Sequence, residues 1–136
     1  MAAFSFTDAV LTVNAVTLTT LVRSVTLNVE AEDLETTTMG GGGYRSRIGG
    51  LKTGTLEVEF LNDFAASQTD ATLWPIFGTV VAFTLKPTSA ATSATNPQYS
   101  GNVLVTQVGP LDGEVGALAV RSVSWPTSGT VTRATA

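Results

Sequence analysis

Two stretches of this chain alternate between apolar and polar positions. Leu21, Arg23, Val25, Leu27 and Val29 fall on one side of an extended backbone, with Ser24, Thr26, Asn28 and Glu30 on the other. Leu56, Val58 and Phe60 alternate in the same way with Thr55, Glu57 and Glu59. A period of two predicts strands over Leu21–Glu30 and Lys52–Leu61, with Gly54 marking a bulge or kink. Shorter strands are predicted at Val10–Val13 and Val16–Leu18. They are spaced as a hairpin around Asn14-Ala15, although glycine is the preferred second residue of such a turn. Strand character returns at Thr79–Lys86, where Val81, Phe83 and Leu85 share a face, then at Gly101–Val108 and Ala117–Trp125. Gly109-Pro110-Leu111-Asp112-Gly113 joins the last two as a turn.

Between these runs the pattern changes. Residues 62–78 carry a dense apolar cluster of Ala71, Leu73, Trp74, Ile76 and Phe77, closed by Gly78. One to three turns of helix are predicted there, capped by Asp70, broken by Pro75 and plugging an open end of the sheet. Trp74 and Phe77 are read as core. Pro87–Ser100 is small, polar and uncharged, the composition of an exposed loop. Residues 1–8, with Phe4 and Phe6 alternating, and 126–136, a Thr/Ala/Gly tail with Arg133, read as terminal arms. The sum is a mainly β chain of 136 residues in a single domain. Its expected architecture is a β-sandwich or half-barrel with one short helix.

The segment that fits no strand is Asp33–Leu51, DLETTTMGGGGYRSRIGGL. Structureless loops of more than about 15 residues are uncommon in compact domains unless they are functional or disordered. This one opens on Asp33, Leu34 and Glu35 and passes Met39 into Gly40, Gly41, Gly42 and Gly43. It closes with Tyr44, Arg45, Arg47 and Ile48, residues better suited to a protein surface than to solvent. The expectation is an extended assembly arm whose glycines let it take whatever backbone a partner requires.

Composition sharpens that expectation. Apolar residues make up 43% and charged residues 13%, against about a quarter charged in ordinary domains. Such a surface is either hidden against partners or kept polar by threonine and serine. The net charge of −4, from 11 acids and 7 bases, argues against gripping nucleic acid, which needs clustered Lys and Arg. It is compatible with a surface past which DNA slides.

The chain has no cysteine and no histidine, which removes thiol nucleophiles, thiolate metal sites, the commonest general base and the usual catalytic triads. The glycines do not make a phosphate loop, because Leu51 separates Gly50 from Lys52 and a strand follows. Glu57 and Glu59 share a strand face, an arrangement of an acidic stripe rather than of carboxylates flanking a sugar. Glu30, Glu32, Asp33 and Glu35 lack the spacing of a calcium loop, and repulsion in solvent or pairing with Arg45 and Arg47 describes them better. No enzyme activity, cofactor or metal is expected. The N-terminus lacks the form of a secretion signal and no stretch is long enough for an apolar span, so a soluble protein made in the cytoplasm is expected.

The segment from Val22 to Phe60, the LNDFAASQTDATLWPIFG that follows (Leu61–Gly78), and KPTSAATSATNPQYSGNVLVTQVGPLDGEVG (Lys86–Gly116) resemble major tail proteins, the tail-tube subunits of long-tailed siphovirus phages. The resemblance runs from about Thr12 to Trp125. It implies six subunits in a ring whose inner strands join into one β-barrel around a channel. Rings stack into a tube through which the genome passes. It further implies that Asp33–Leu51 reaches the neighbouring ring, and that Glu57, Glu59 and Glu30 are candidates for the channel wall. The implied partners are other copies of the chain, tail proteins at the tube ends, and a tape-measure protein and DNA inside the channel. The implied location is the virion tail, after synthesis in the host cytoplasm. A different use of the same sandwich is a capsid decoration or host-binding β-domain. A carbohydrate-active enzyme would need a cleft with two separated carboxylates, which nothing in the sequence builds.

Overall fold

The computed structural model of the chain describes residues 7–66, 68–109, 111 and 113–135. Phe4, Phe6, Pro110 and Asp112 lie outside them. The element order is β1 (Val10–Val13), β2 (Val16–Thr17), β3 (Val22–Glu35), β4 (Arg47–Leu61), α1 (Thr69–Leu73), β5 (Val80–Lys86), β6 (Gln98–Leu104), β7 (Val120–Pro126) and β8 (Thr132–Ala134). Five strands form one antiparallel sheet in the order β2-β1-β5-β6-β8, and three form the other, β3-β4-β7. The architecture is mainly β, an open two-sheet sandwich with one short helix.

The alternation read from the sequence builds the core. Leu56, Val58 and Phe60 of β4 and Val123 and Trp125 of β7 face Leu11, Val13, Val81, Phe83 and Val103 of the larger sheet. Phe60 and Trp125 contact each other with ring centroids 6.4 Å apart. The buried Trp125 donates its indole N–H to the Gln107 carbonyl at 2.8 Å, so its one polar atom is satisfied. The β1–β2 hairpin turns at Asn14-Ala15 with φ of 51° and 64°. Both are left-handed, as a two-residue turn demands, and Ala15 adopts the conformation without glycine's freedom.

Several boundaries move. The predicted long loop is strand at both ends: β3 runs on to Glu35 and β4 begins at Arg47, in register through Asp33↔Gly49, Leu34↔Ile48 and Glu35↔Arg47. Thr36 N–H then closes on the Ser46 carbonyl at 2.8 Å. These residues do not alternate in polarity because both faces of the ribbon meet water. Strand β6 starts inside the predicted polar loop, at Gln98, and stops at Leu104, although Val105 and Val108 beyond it are buried. The predicted C-terminal arm is partly docked: Thr127 bridges to Val103, and β8 pairs with β6.

Gly54 is paired in register with Val29, and the irregularities fall elsewhere, between Val22 and Ser24 and between Ala31 and Asp33. The first turns Arg23 away from the apolar side it was assigned to. It is exposed and reaches Glu59 at 3.5 Å.

Helix α1 is one short turn continued by a 3-10 turn at Trp74–Ile76. Gln68, not Asp70, is its N-cap residue. Its start is held by the Thr69 hydroxyl, which donates to the Leu61 carbonyl at 2.8 Å. Leu73 and Ile76 are buried, whereas Trp74 and Phe77, expected in the core, are 56% and 50% exposed. The reason is spacing: residues three apart share a side of a tight helix, so 73 and 76 face in while 74 and 77 face out.

Candidate functional site

Beyond Leu27 on β3 and before Gly54 on β4, every residue is exposed except the half-buried Gly50. The β3–β4 hairpin therefore projects as a free two-stranded arm. Glu30–Glu35 alone carry it roughly 20 Å at about 3.3 Å per residue. Arg47 forms an ion pair with Asp33 across the ribbon, and Glu35 accepts a bond from the Thr37 hydroxyl at 3.0 Å. Leu34 and Ile48 sit opposite each other and are 40% and 57% exposed.

The tip is built rather than loose. Met39–Gly41 form a 3-10 turn and Gly42 and Gly43 take φ of 64° and 87°. Tyr44 N–H closes on the Gly41 carbonyl, and Ser46 N–H on the Thr37 hydroxyl. Two of the four glycines thus serve a fixed left-handed geometry that other residues rarely adopt. The turn leaves Met39 and Tyr44 exposed, and Leu51 on β4 is exposed as well.

A second feature is the outer face of the three-stranded sheet. Ser24, Thr26, Glu57, Glu59, Gln107, Ser122 and Ser124 line a shallow depression of about 300 Å³. Register puts Glu57 opposite Thr26 and Glu59 opposite Ser24, so both carboxylates share this face. Glu30, opposite Thr53, lies on the same face four positions further out than Glu57, about 13 Å along the strand. It accepts a bond from the Asn28 amide at 2.9 Å. The three candidate wall residues are therefore aligned on one wet surface, with Glu57 and Glu59 close together and Glu30 at the root of the arm.

Two residues escaped the sequence reading, and a third, Trp74, was read as core but lies on the surface. Arg121 of β7 is 1% exposed, and its guanidinium donates to Asn62 Oδ1 at 2.9 Å and to Asp70 Oδ1 at 3.3 Å. It ties α1 to the smaller sheet. Thr127 grips the arm's root: its hydroxyl accepts from Gly54 N–H at 3.0 Å, and its own N–H donates to the Gly54 carbonyl at 2.9 Å. Trp74, paired with Phe77 at a centroid distance of 6.1 Å, stands on the body's surface. The three-residue spacing of Leu73/Ile76 against Trp74/Phe77 was the available clue. Among the described residues, no cluster of acidic side chains is placed to hold a metal ion, and no helix is long and apolar enough to cross a membrane.

No protein-family model matches the chain, and no curated protein sequence does. Solved structures match it closely in shape. A chain of the virion of a native gene transfer agent particle superposes with a TM-score of 0.75 at 18% identity, covering 96% of this chain and 98% of that one. This is a fold found in a gene transfer agent virion. A chain from the tail of an empty gene transfer agent particle, determined with C6 symmetry, gives a TM-score of 0.66 at 17% identity over 88% of this chain and 87% of that one.

Proposed function

We propose that the chain is a structural subunit of a tail tube, built from copies of itself stacked as rings around a channel for DNA. The observation that carries the reading is the projecting β3–β4 arm, exposed on both faces. A two-stranded hairpin is marginal in water unless something packs on it, and this one holds apolar Leu34, Met39, Tyr44, Ile48 and Leu51 out from the body. Strand β3 also leaves a long open edge, which closure through neighbouring copies removes. The likeness to a chain in a six-fold symmetric tail supports rings of six.

In this reading Asp33–Leu51 bridges successive rings. Glu57, Glu59 and Glu30 line the channel, where carboxylates repel DNA phosphates and keep a passing duplex from adhering. The absence of histidine and cysteine from the sequence, and of acidic metal clusters among the described residues, accords with a structural rather than catalytic role. A siphovirus-type tail, with tape-measure protein inside the tube and further tail proteins at its ends, is the finer form of the proposal. Residence in the virion follows assembly in the host cytoplasm.

The test is to concentrate the purified protein and image it by negative-stain electron microscopy. Rods with an axial channel are expected. A variant in which Thr36–Ser46 is replaced by a two-residue turn should stay folded and give at most isolated rings. Monomers at every concentration, or unchanged rods from the shortened variant, would refute the reading.

A further inference from the structure

Two exposed apolar surfaces stand apart on this chain. One is the arm's tip, with Met39 and Tyr44 fully or mostly exposed. The other is the Trp74–Phe77 aromatic pair on the outer side of α1 and its 3-10 continuation. Neither covers the other within one chain, since both are exposed in it. A surface that fits a different surface on an identical copy makes a head-to-tail contact, the kind that propagates without limit.

Charge adds to the match. The only charged residue in the tip, 36–46, is Arg45, and residues 62–79 around the aromatic pair hold two acids, Asp63 and Asp70, and no base. Asp70 is engaged by Arg121, which leaves Asp63 as the local excess charge. A guanidinium beside an exposed tryptophan face gains from the ring's quadrupole, most of all when water is excluded. The platform is also firm, because Leu73 and Ile76 anchor it in the core and Thr69 pins its start. Fixed turns hold the tip and a helix with one buried side holds the platform, so little freedom is lost when they meet.

We infer that the Trp74–Phe77 pair is the receiving site for the arm tip of a second copy, with Met39 and Tyr44 against the rings and Arg45 toward Asp63. This rests on the tail-tube reading and names the surface on which the arm lands.

The chain supplies its own probe. Of its two tryptophans, Trp125 is fully buried and Trp74 is exposed, so an aqueous quencher such as iodide reports on Trp74. Iodide quenching of the unsubstituted protein should fall at least threefold when rods form, and stay high in isolated rings of the tip-shortened variant. Trp74 equally quenched in rods would overturn the inference while leaving the tube reading intact. Rods absent from the unsubstituted protein would overturn both.

Crosslinking is a second arm of the test, made simple by the absence of cysteine. Rods of a Met39→Cys, Phe77→Cys double variant should yield covalent ladders of three or more chains with a short bismaleimide, and each single variant dimers at most. Rods that form without ladders would reject the contact.

Discussion

Replacing Asp70 by asparagine tests how α1 is held. The Arg121 side chain has no exposure and that of Asp70 is 32% exposed, with the facing atoms 3.3 Å apart. At an effective dielectric near 20, opposite charges at that separation attract by about 5 kcal/mol before desolvation is counted. Removing one partner of a fully buried pair costs about 3–5 kcal/mol. Water reaches Asp70, and Asn62 still accepts from the guanidinium, so a loss of about 2 kcal/mol is expected for Asp70→Asn.

For a domain of this size that lowers Tm by roughly 6–10 °C. It should move the urea midpoint while leaving the m-value unchanged. Glu59→Gln is the internal control. Its pair with Arg23 is 3.5 Å apart, with side chains 51% and 34% exposed, and a pair so exposed is worth less than about 0.5 kcal/mol after solvent screening. Equal losses for the two variants, or a loss under about 0.5 kcal/mol for Asp70→Asn, would show that the buried guanidinium does not depend on this carboxylate.

At the arm's root, a Cβ on Gly54 would meet the Thr127 side chain at 3.1 Å and the Asn28 carbonyl at 3.2 Å, while one on Gly49 meets nothing within 4 Å. Gly54→Ala should therefore destabilise by about 1 kcal/mol through overpacking. Gly49→Ala should be neutral or stabilising by a few tenths; a stabilised Gly54→Ala refutes the close approach. Charge reversal at Glu57 and Glu59 together should leave melting and rod formation within small shifts but make rods retain DNA at low salt. Rods that remain inert to DNA in a sedimentation assay would remove both residues from the channel wall. Asp8 accepts from the Ser89 hydroxyl and backbone N–H at 2.6 and 3.2 Å, and these bonds hold its carboxyl below the usual range. With the folded value depressed, the contact's stabilisation is present above the ordinary aspartate pKa and fades as pH falls through the folded one. Ser89→Ala should raise the Asp8 pKa toward its ordinary value, and an NMR titration that does not move would contradict the contact.

The strands flanking the core were legible because burial imposes a pattern. Leu56, Val58 and Phe60 must face inward and Glu57 and Glu59 must not, so a period of two is written into the sequence. The arm escaped for the converse reason. From Glu30 to Glu35 and from Arg47 to Thr53 both faces are wet, no alternation is selected, and an ordered ribbon reads as a loop. Its strand character lies in cross-strand partners, Asp33 with Arg47 and Leu34 opposite Ile48, which are 14 residues apart. The helix misled in another way. A cluster of Leu73, Trp74, Ile76 and Phe77 is too apolar to read as half-exposed, yet a helix of one turn has only one buried side. Arg121 could not be foreseen, because a basic residue between Val120 and Ser122 looks like a solvent position until Asn62 and Asp70 are folded beside it.

The placement of charge bears on how a sparsely charged chain carries the exposed arm that the tube proposal assigns to a neighbouring copy. Four of the 11 acids, Glu30, Glu32, Asp33 and Glu35, sit on the outer half of β3, the strand whose far edge pairs with nothing among the described residues. At the opposite margin of that sheet, Gln107 donates to the Ser124 carbonyl of β7 and accepts from the Trp125 indole. An open edge lined with carboxylates repels a second copy of the same edge, which discourages indiscriminate strand pairing. The same repulsion is weaker toward a neighbour that presents a different, uncharged surface. In the proposed tube, the acidity that argues against a nucleic-acid grip would also select how copies meet: edge against edge is disfavoured, and contacts between unlike surfaces, the kind that close rings and extend rods, are left open.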